Sequence, residues 1–148
     1  MKEIDLVGSF ESEEISKLKL LAKREIQRVG KIPQPVVRVC GPLTCDGPDR
    51  YEYNAARLTK AEDILKSRGI NVWTFGEAEE EIFSKGYDAG NILTYFHKPV
   101  FESSLIKEAF FLPRWEESNG ATLERKIAEE TGVVIKEFPE GWFLSNLQ

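Results

Sequence analysis

The stretch Val36-Val37-Arg38-Val39-Cys40-Gly41-Pro42-Leu43-Thr44 decides the fold. Val36, Val37, Val39 and Cys40 make a short apolar run that stops at Gly41-Pro42, the pattern of a buried parallel strand entering a tight loop. Asp46-Gly47-Pro48-Asp49 follows as a dense turn signal. A helix is predicted over residues 50–68, with Leu58, Ala61 and Leu65 as its apolar stripe and Gly69 closing it. Residues 70–75 read as a second strand, 109–112 as a third and 133–135 as a fourth, the last two separated by a loop and a helix over 119–132. Strands alternating with helices imply an α/β fold, an open parallel sheet of four to five strands joined by right-handed crossovers.

Upstream, Ser12 followed by Ile15, Leu18, Ala22, Ile26 and Val29 reads as a capped amphipathic helix, with Glu13 and Glu14 favouring its positive end. The prolines at 33 and 35 make a linker. Residues 1–35 therefore read as an N-terminal helical extension, with residues 1–7 as a short edge strand. Residues 36–136 form the core, and 137–148 an aromatic tail whose Phe138, Trp142, Phe143 and Leu144 need the sheet or another subunit to cover them. Between 77 and 106 lies an acidic helix, 77–83, and then an aromatic-rich segment without clear period. The latter fits either a functional lid or a locally packed or intersubunit segment.

The 148 residues are most simply one domain, long enough to bury roughly two thirds of the surface of the unfolded chain. The net charge of −5 argues against a partner of the nucleic-acid polymer class. No apolar run approaches the roughly 20 residues that span a bilayer, so no membrane partner is expected. The charged residues at the start lack the apolar core of a signal peptide, which gives a cytoplasmic location by default. Cys40, Cys45 and the single histidine, His97, are too few for a zinc site, and no metal is expected.

Glu124 breaks the pattern of its helix. Stepping 100° per residue places Gly120, Leu123, Glu124, Ile127, Ala128 and Thr131 in one arc of about 140°, with Arg125, Lys126, Glu129 and Glu130 outside it. A carboxylate in a packed stripe must be paired, protonated or solvated by a crevice. Pairing with Arg38 or Arg114 is one solution; a chemical role is another. Glu62 and Asp63, by contrast, read as members of a solvated helix face.

In open parallel sheets ligands bind beyond the carboxyl ends of strands. Two loops are predicted there, Gly41-Pro42-Leu43-Thr44 and residues 113–120. Ser118 or Asn119 can cap the helix, and Gly120 lets a ligand approach backbone N–H groups, an arrangement that attracts phosphate or another anion. Glu124 lies about one turn further on.

Gly41-Pro42-Leu43-Thr44, Asn54 in the next helix, and Leu112-Pro113-Arg114-Trp115-Glu116-Glu117-Ser118-Asn119-Gly120-Ala121-Thr122-Leu123-Glu124 together resemble the nucleoside 2-deoxyribosyltransferase-like family. The branch resembled carries G-P-[IL]-T and L-P-x-W-x-x-S-x-G-A-x-x-E. The likeness covers residues 36–135. It implies a flavodoxin- or Rossmann-like sheet and cleavage or transfer at the N-glycosidic bond of a (2-deoxy)nucleoside or its 5′-monophosphate, without a cofactor. By that resemblance Glu124 is the nucleophile or the stabiliser of an oxocarbenium-like transition state. Ser118 and Gly120 match positions near the 5′ end of the substrate, Gly41, Pro42 and Leu43 match the loop that lines the base and sugar pocket, Thr44, Asn54 and Asn119 count with them as substrate-binding residues, and Trp115 stacks on the base or packs at the strand end. The partner implied is a nucleoside or nucleotide, and the assembly a homo-oligomer. One departure stands out: where the family commonly carries an aspartate before the glutamate loop, this chain has Lys107 and Glu108. A non-catalytic nucleotide sensor on the same fold is the alternative.

Overall fold

The computed structural model describes residues 11–43 and 48–145. Four strands, β1 (Val36–Cys40), β2 (Asn71–Trp73), β3 (Ile106–Phe111) and β4 (Val134–Glu137), form one sheet in the order β2-β1-β3-β4. Every pairing is parallel. This is the open α/β architecture expected, with four strands, and its order is that of flavodoxin-like sheets. β1 is buried along its whole length, as a central strand must be. Its side chains alternate: Val36 and Cys40 enter one apolar cluster, Val37 and Val39 the other.

The second face is covered by α2 (Pro48–Ser67), through Leu58, Ala61, Ile64 and Leu65, and by α7 (Gly141–Ser145). The first face carries α1 (Glu13–Gly30), α3 (Glu77–Ser84), α4 (Ala89–Ile92), a π-helical turn at Leu93–His97, α5 (Lys98–Glu102) and α6 (Asn119–Thr131). The chain leaves β1 for β2 over one face and returns through β3 to β4 over the other. All crossovers thus share one hand, which for parallel strands is right-handed.

α1 begins as predicted, with Ser12 Oγ accepting the N–H of Ile15 at 3.1 Å. It also packs against the sheet. Leu18, Leu21, Ala22 and Val29 are buried in the main core. Its buried Glu25 accepts from Trp73 Nε1 at 2.6 Å, and Arg28 donates to the carbonyl of Thr74 at 3.2 Å. The prolines that suggested a separating linker instead turn the chain so that α1 lies back on the sheet.

The segment 86–104 is helical and packed, with Phe96, Val100 and Phe101 at or near full burial. It is a layer of the core and not an open lid. Phe138, Trp142 and Phe143 of the tail pack on the second sheet face, Phe138 edge-on to Phe110 at 6.3 Å and to Trp142 at 5.5 Å. Leu144 stays exposed.

Two helix faces differ from expectation. Leu123 is exposed, because α6 presents only Ala121, Ile127 and Ala128 to the core and the predicted arc was too broad. Glu62 is buried, because its carboxylate accepts the N–H of Phe75 at 2.8 Å where the chain leaves β2, and burial raises its pKa. The edge strand predicted at 1–7 lies outside the described residues. Among the described residues no helix is long and apolar enough to cross a membrane.

Candidate functional site

β1 sends its crossover to β2 while its other neighbour is β3, so the sheet's topological switch point lies at the carboxyl ends of β1 and β3. A cavity of ≈ 390 Å³ opens there, within the range of small-ligand sites. Gly41 and Leu43 line it from the loop after β1, and Ser118, Asn119, Gly120 and Glu124 from the start of α6. Leu58, Phe75, Phe83, Ile92 and Leu93 supply apolar walls. Arg38, Cys40, Glu79 and His97, each buried, also line it and form its depth.

Close packing fixes the gap between the two strand ends. A Cβ on Gly41 would stand 2.9 Å from Leu112 Cβ, and the N–H of Leu112 donates to the Cys40 carbonyl at 2.8 Å. Only glycine lets the β1 loop pass so near β3's exit. On the other wall, Ser118 is the N-cap of α6: its buried Oγ accepts the N–H of Ala121 at 3.1 Å. The N–H groups of Asn119 and Gly120, ahead of the first intrahelical bond, point out of the helix start into a positive local field. A Cβ on Gly120 would have Ser118 Oγ, at 3.8 Å, as its near neighbour, so the space beside Gly120 is open.

Glu124 stands four residues beyond Gly120, about 6 Å along the axis. It is half-buried: protein atoms screen its carboxylate from bulk water, and the crevice is its outlet. Among the described residues it makes no ion pair, since Arg38 is engaged by Glu79 and Arg114 by Glu117. The structural pairing with Arg38 or Arg114 is therefore not what holds it. Burial raises its pKa; His97 and Arg38 pull it back and Glu79 pushes it further up. The Cys40 thiol beside it is itself pushed well up, by burial and by the Glu124 charge, so it offers an S–H and not a thiolate.

The deepest element is a buried triad. Glu79 Oε2 accepts from Arg38 Nη2 and lies 3.0 Å from His97 Nε2. Arg38 also donates through Nη1 to the Trp73 carbonyl at 3.1 Å and stacks over the Trp73 ring at 3.9 Å. Burial disfavours both charges of the Arg38–Glu79 pair, yet each partner holds the other ionised. Against that burial, Arg38 and His97 bring Glu79 down to about 2, and Glu79 with Glu124 raises Arg38.

Comparison with family models, curated proteins and solved structures finds no match. The site must be read from its own atoms.

Gly41, Leu43, Ser118, Asn119, Gly120 and Glu124, all read as site residues from sequence, line one cavity. Three others do not line it. Pro42 is buried in the loop, and Asn54, also buried, donates to the Leu43 carbonyl at 3.1 Å and so shapes the loop. Trp115 packs edge-on to Phe111 at 5.8 Å beneath Arg125 at 4.2 Å, a strand-end packing role. Thr44 lies outside the described residues. Lys107 and Glu108 sit near the opposite end of β3, Lys107 exposed and Glu108 3.2 Å from Lys136, so neither reaches the crevice. Arg38, Glu79 and His97 were not read as site residues. Arg38 carried the same signal as Glu124, a charge inside an apolar run.

Proposed function

We propose that this chain cleaves or transfers at the N-glycosidic bond of a nucleoside or nucleoside 5′-monophosphate, with Glu124 as nucleophile or stabiliser of the oxocarbenium-like transition state. The observation that carries the reading is a carboxylate without an ion pair, facing a ligand-sized crevice one turn behind an open helix start. A 5′-phosphate held by the N–H groups of Asn119 and Gly120 leaves the sugar beside Glu124. The apolar walls take the faces of the base. A carboxylate against the anomeric carbon stabilises developing positive charge and can form a covalent intermediate, as in glycoside chemistry generally. Ser118 and Glu124 occupy the positions through which the chain resembles the nucleoside 2-deoxyribosyltransferase-like family, and that resemblance supports the substrate class. Neither cofactor nor metal enters the reaction.

The test is base release. The protein is incubated with deoxynucleosides, ribonucleosides and their 5′-monophosphates, with and without acceptor bases, and free base is followed by chromatography. Release that disappears in Glu124→Ala is the expected result; no release above that variant across the panel would sink the proposal.

A second reading, a nucleotide sensor without turnover, is favoured by Lys107 and Glu108 where the family commonly carries an aspartate. Calorimetry with recovery of the intact nucleotide would support it. Homo-oligomerisation remains part of the family-based reading, but the aromatic tail no longer argues for it, because Phe138, Trp142 and Phe143 are spent on the chain's own sheet.

A further inference from the structure

Among the described residues, the buried side-chain nitrogen and oxygen atoms without a hydrogen-bond partner are Arg38 Nε, Glu79 Oε1 and His97 Nδ1. Buried polar atoms of native proteins are nearly always satisfied, so an unsatisfied set demands an explanation. All three belong to residues that line the one crevice also lined by Glu124. His97 comes last in a π-helical turn, a local widening of the helix that recurs at functional sites. Its Nε2 is committed to Glu79 at 3.0 Å, which fixes the ring and leaves Nδ1 as the ring nitrogen without a partner.

Resting on the N-glycosidase reading above, we propose that His97 is the proton donor to the leaving base, with Glu79 as its positioning carboxylate. The charged and titratable groups that line the crevice with the imidazole are Arg38 and Cys40 on β1, Glu79 on α3, Glu124 on α6 and, at the exposed rim, Glu117, which is paired with Arg114. Glu124 must keep its charge to attack C1′, so the proton given to the base has to come from a different group, and His97 is the crevice residue with an unpartnered ring nitrogen.

The step balances. As the C1′–N bond breaks, its electron pair stays on the base, and the Nδ1 proton passes to the base atom that carries the developing negative charge. The base leaves neutral, and a Glu124 oxygen bonds to C1′. Water then attacks C1′, the ester bond returns its electrons to the Glu124 carboxylate, and the water's proton goes to His97. The sugar departs with a hydroxyl at C1′ and both residues are restored. In transfer, the N–H of an acceptor base replaces the water.

The experiment compares two leaving groups on one sugar phosphate: the nucleotide cleaved fastest by the wild type, and the corresponding 4-nitrophenyl glycoside, whose phenolate needs no proton to leave. His97→Gln keeps a donor toward Glu79 and lacks a titrating nitrogen. It is expected to lose about a hundredfold or more in kcat/KM on the nucleotide and to stay within about threefold of wild type in kcat/KM on the nitrophenyl glycoside, since that constant reports the bond-breaking step and not the later attack of water that both substrates share. Equal losses on both, or none on either, overturn the role of His97 while the site reading stands. A wild type that releases neither base nor nitrophenol overturns both. If His97→Gln does not fold, the wild type decides: a fall of kcat/KM in deuterium oxide on the nucleotide alone supports proton donation, and equal effects on kcat/KM for the two substrates refute it.

Discussion

Glu79 Oε2 lies 3.0 Å from His97 Nε2 and also accepts from the Arg38 guanidinium, so a single buried oxygen ties β1 to the π-helical turn. Removing the charge strands Arg38 in the interior. Glu79→Gln should cost about 3–5 kcal/mol of stability at neutral pH by urea denaturation, the range for breaking a buried pair.

The pH dependence of that pair has a defined sign. Glu79 is held at about 2 in the folded protein, below its ordinary 4.5, so its stabilisation is full above about 4.5 and drains away as pH falls toward 2. Wild type and Glu79→Gln should therefore converge in stability across that window. Chemical denaturation at pH 7, 5, 4 and 3 measures it, and a gap constant over the series would contradict the pairing.

Glu124 behaves oppositely. Its folded pKa lies above 4.5 because burial penalises the charge, so the wild type loses stability as pH rises from 4.5 through that higher value. Glu124→Gln should match or exceed wild-type stability at pH 7 to 8 while abolishing base release. In the wild type, base release should climb with pH along a limb above the ordinary carboxylate range. A pH–rate profile already flat at pH 5 would show the carboxylate to be unperturbed.

Gly120→Ala separates fold from ligand. The new methyl meets only Ser118 Oγ at 3.8 Å, and alanine is the better helix former, so thermal stability should hold or rise slightly. The methyl nevertheless takes up open space at the helix start assigned to the 5′-phosphate. KM for a nucleoside monophosphate should rise about tenfold, worth about 1.4 kcal/mol, with little change for the free nucleoside.

Gly41→Ala should do the reverse. Its Cβ would fall 2.9 Å from Leu112, forcing the strand ends apart at a cost of about 1–3 kcal/mol. Combining it with Leu112→Ala should give a double mutant more stable than the two single losses predict, which a double-mutant cycle by denaturation reads directly.

The sheet and half of the crevice were legible in the sequence because their signals are local. Val36–Cys40 declares a buried strand by composition, Ser118 declares a helix start by capping chemistry, and Glu124 declares itself by breaking a period. The triad was hidden because its bonds join residues 41 and 18 positions apart. How α1 docks on the sheet was hidden for the same reason, since the bond from Trp73 to Glu25 spans 48 positions. Glu62 went the same way: whether a helical carboxylate faces water or a strand end depends on where the next strand stops.

Trp73, edge bonded to Glu25 of α1 and face stacked on Arg38, has a fully buried ring that touches the N-terminal helix on one side and a crevice-lining residue on the other. The indole is therefore a built-in optical gauge. Anything entering the crevice that shifts the Arg38 charge alters the electric field across the ring, and the protein's own ultraviolet emission should report occupancy without a label.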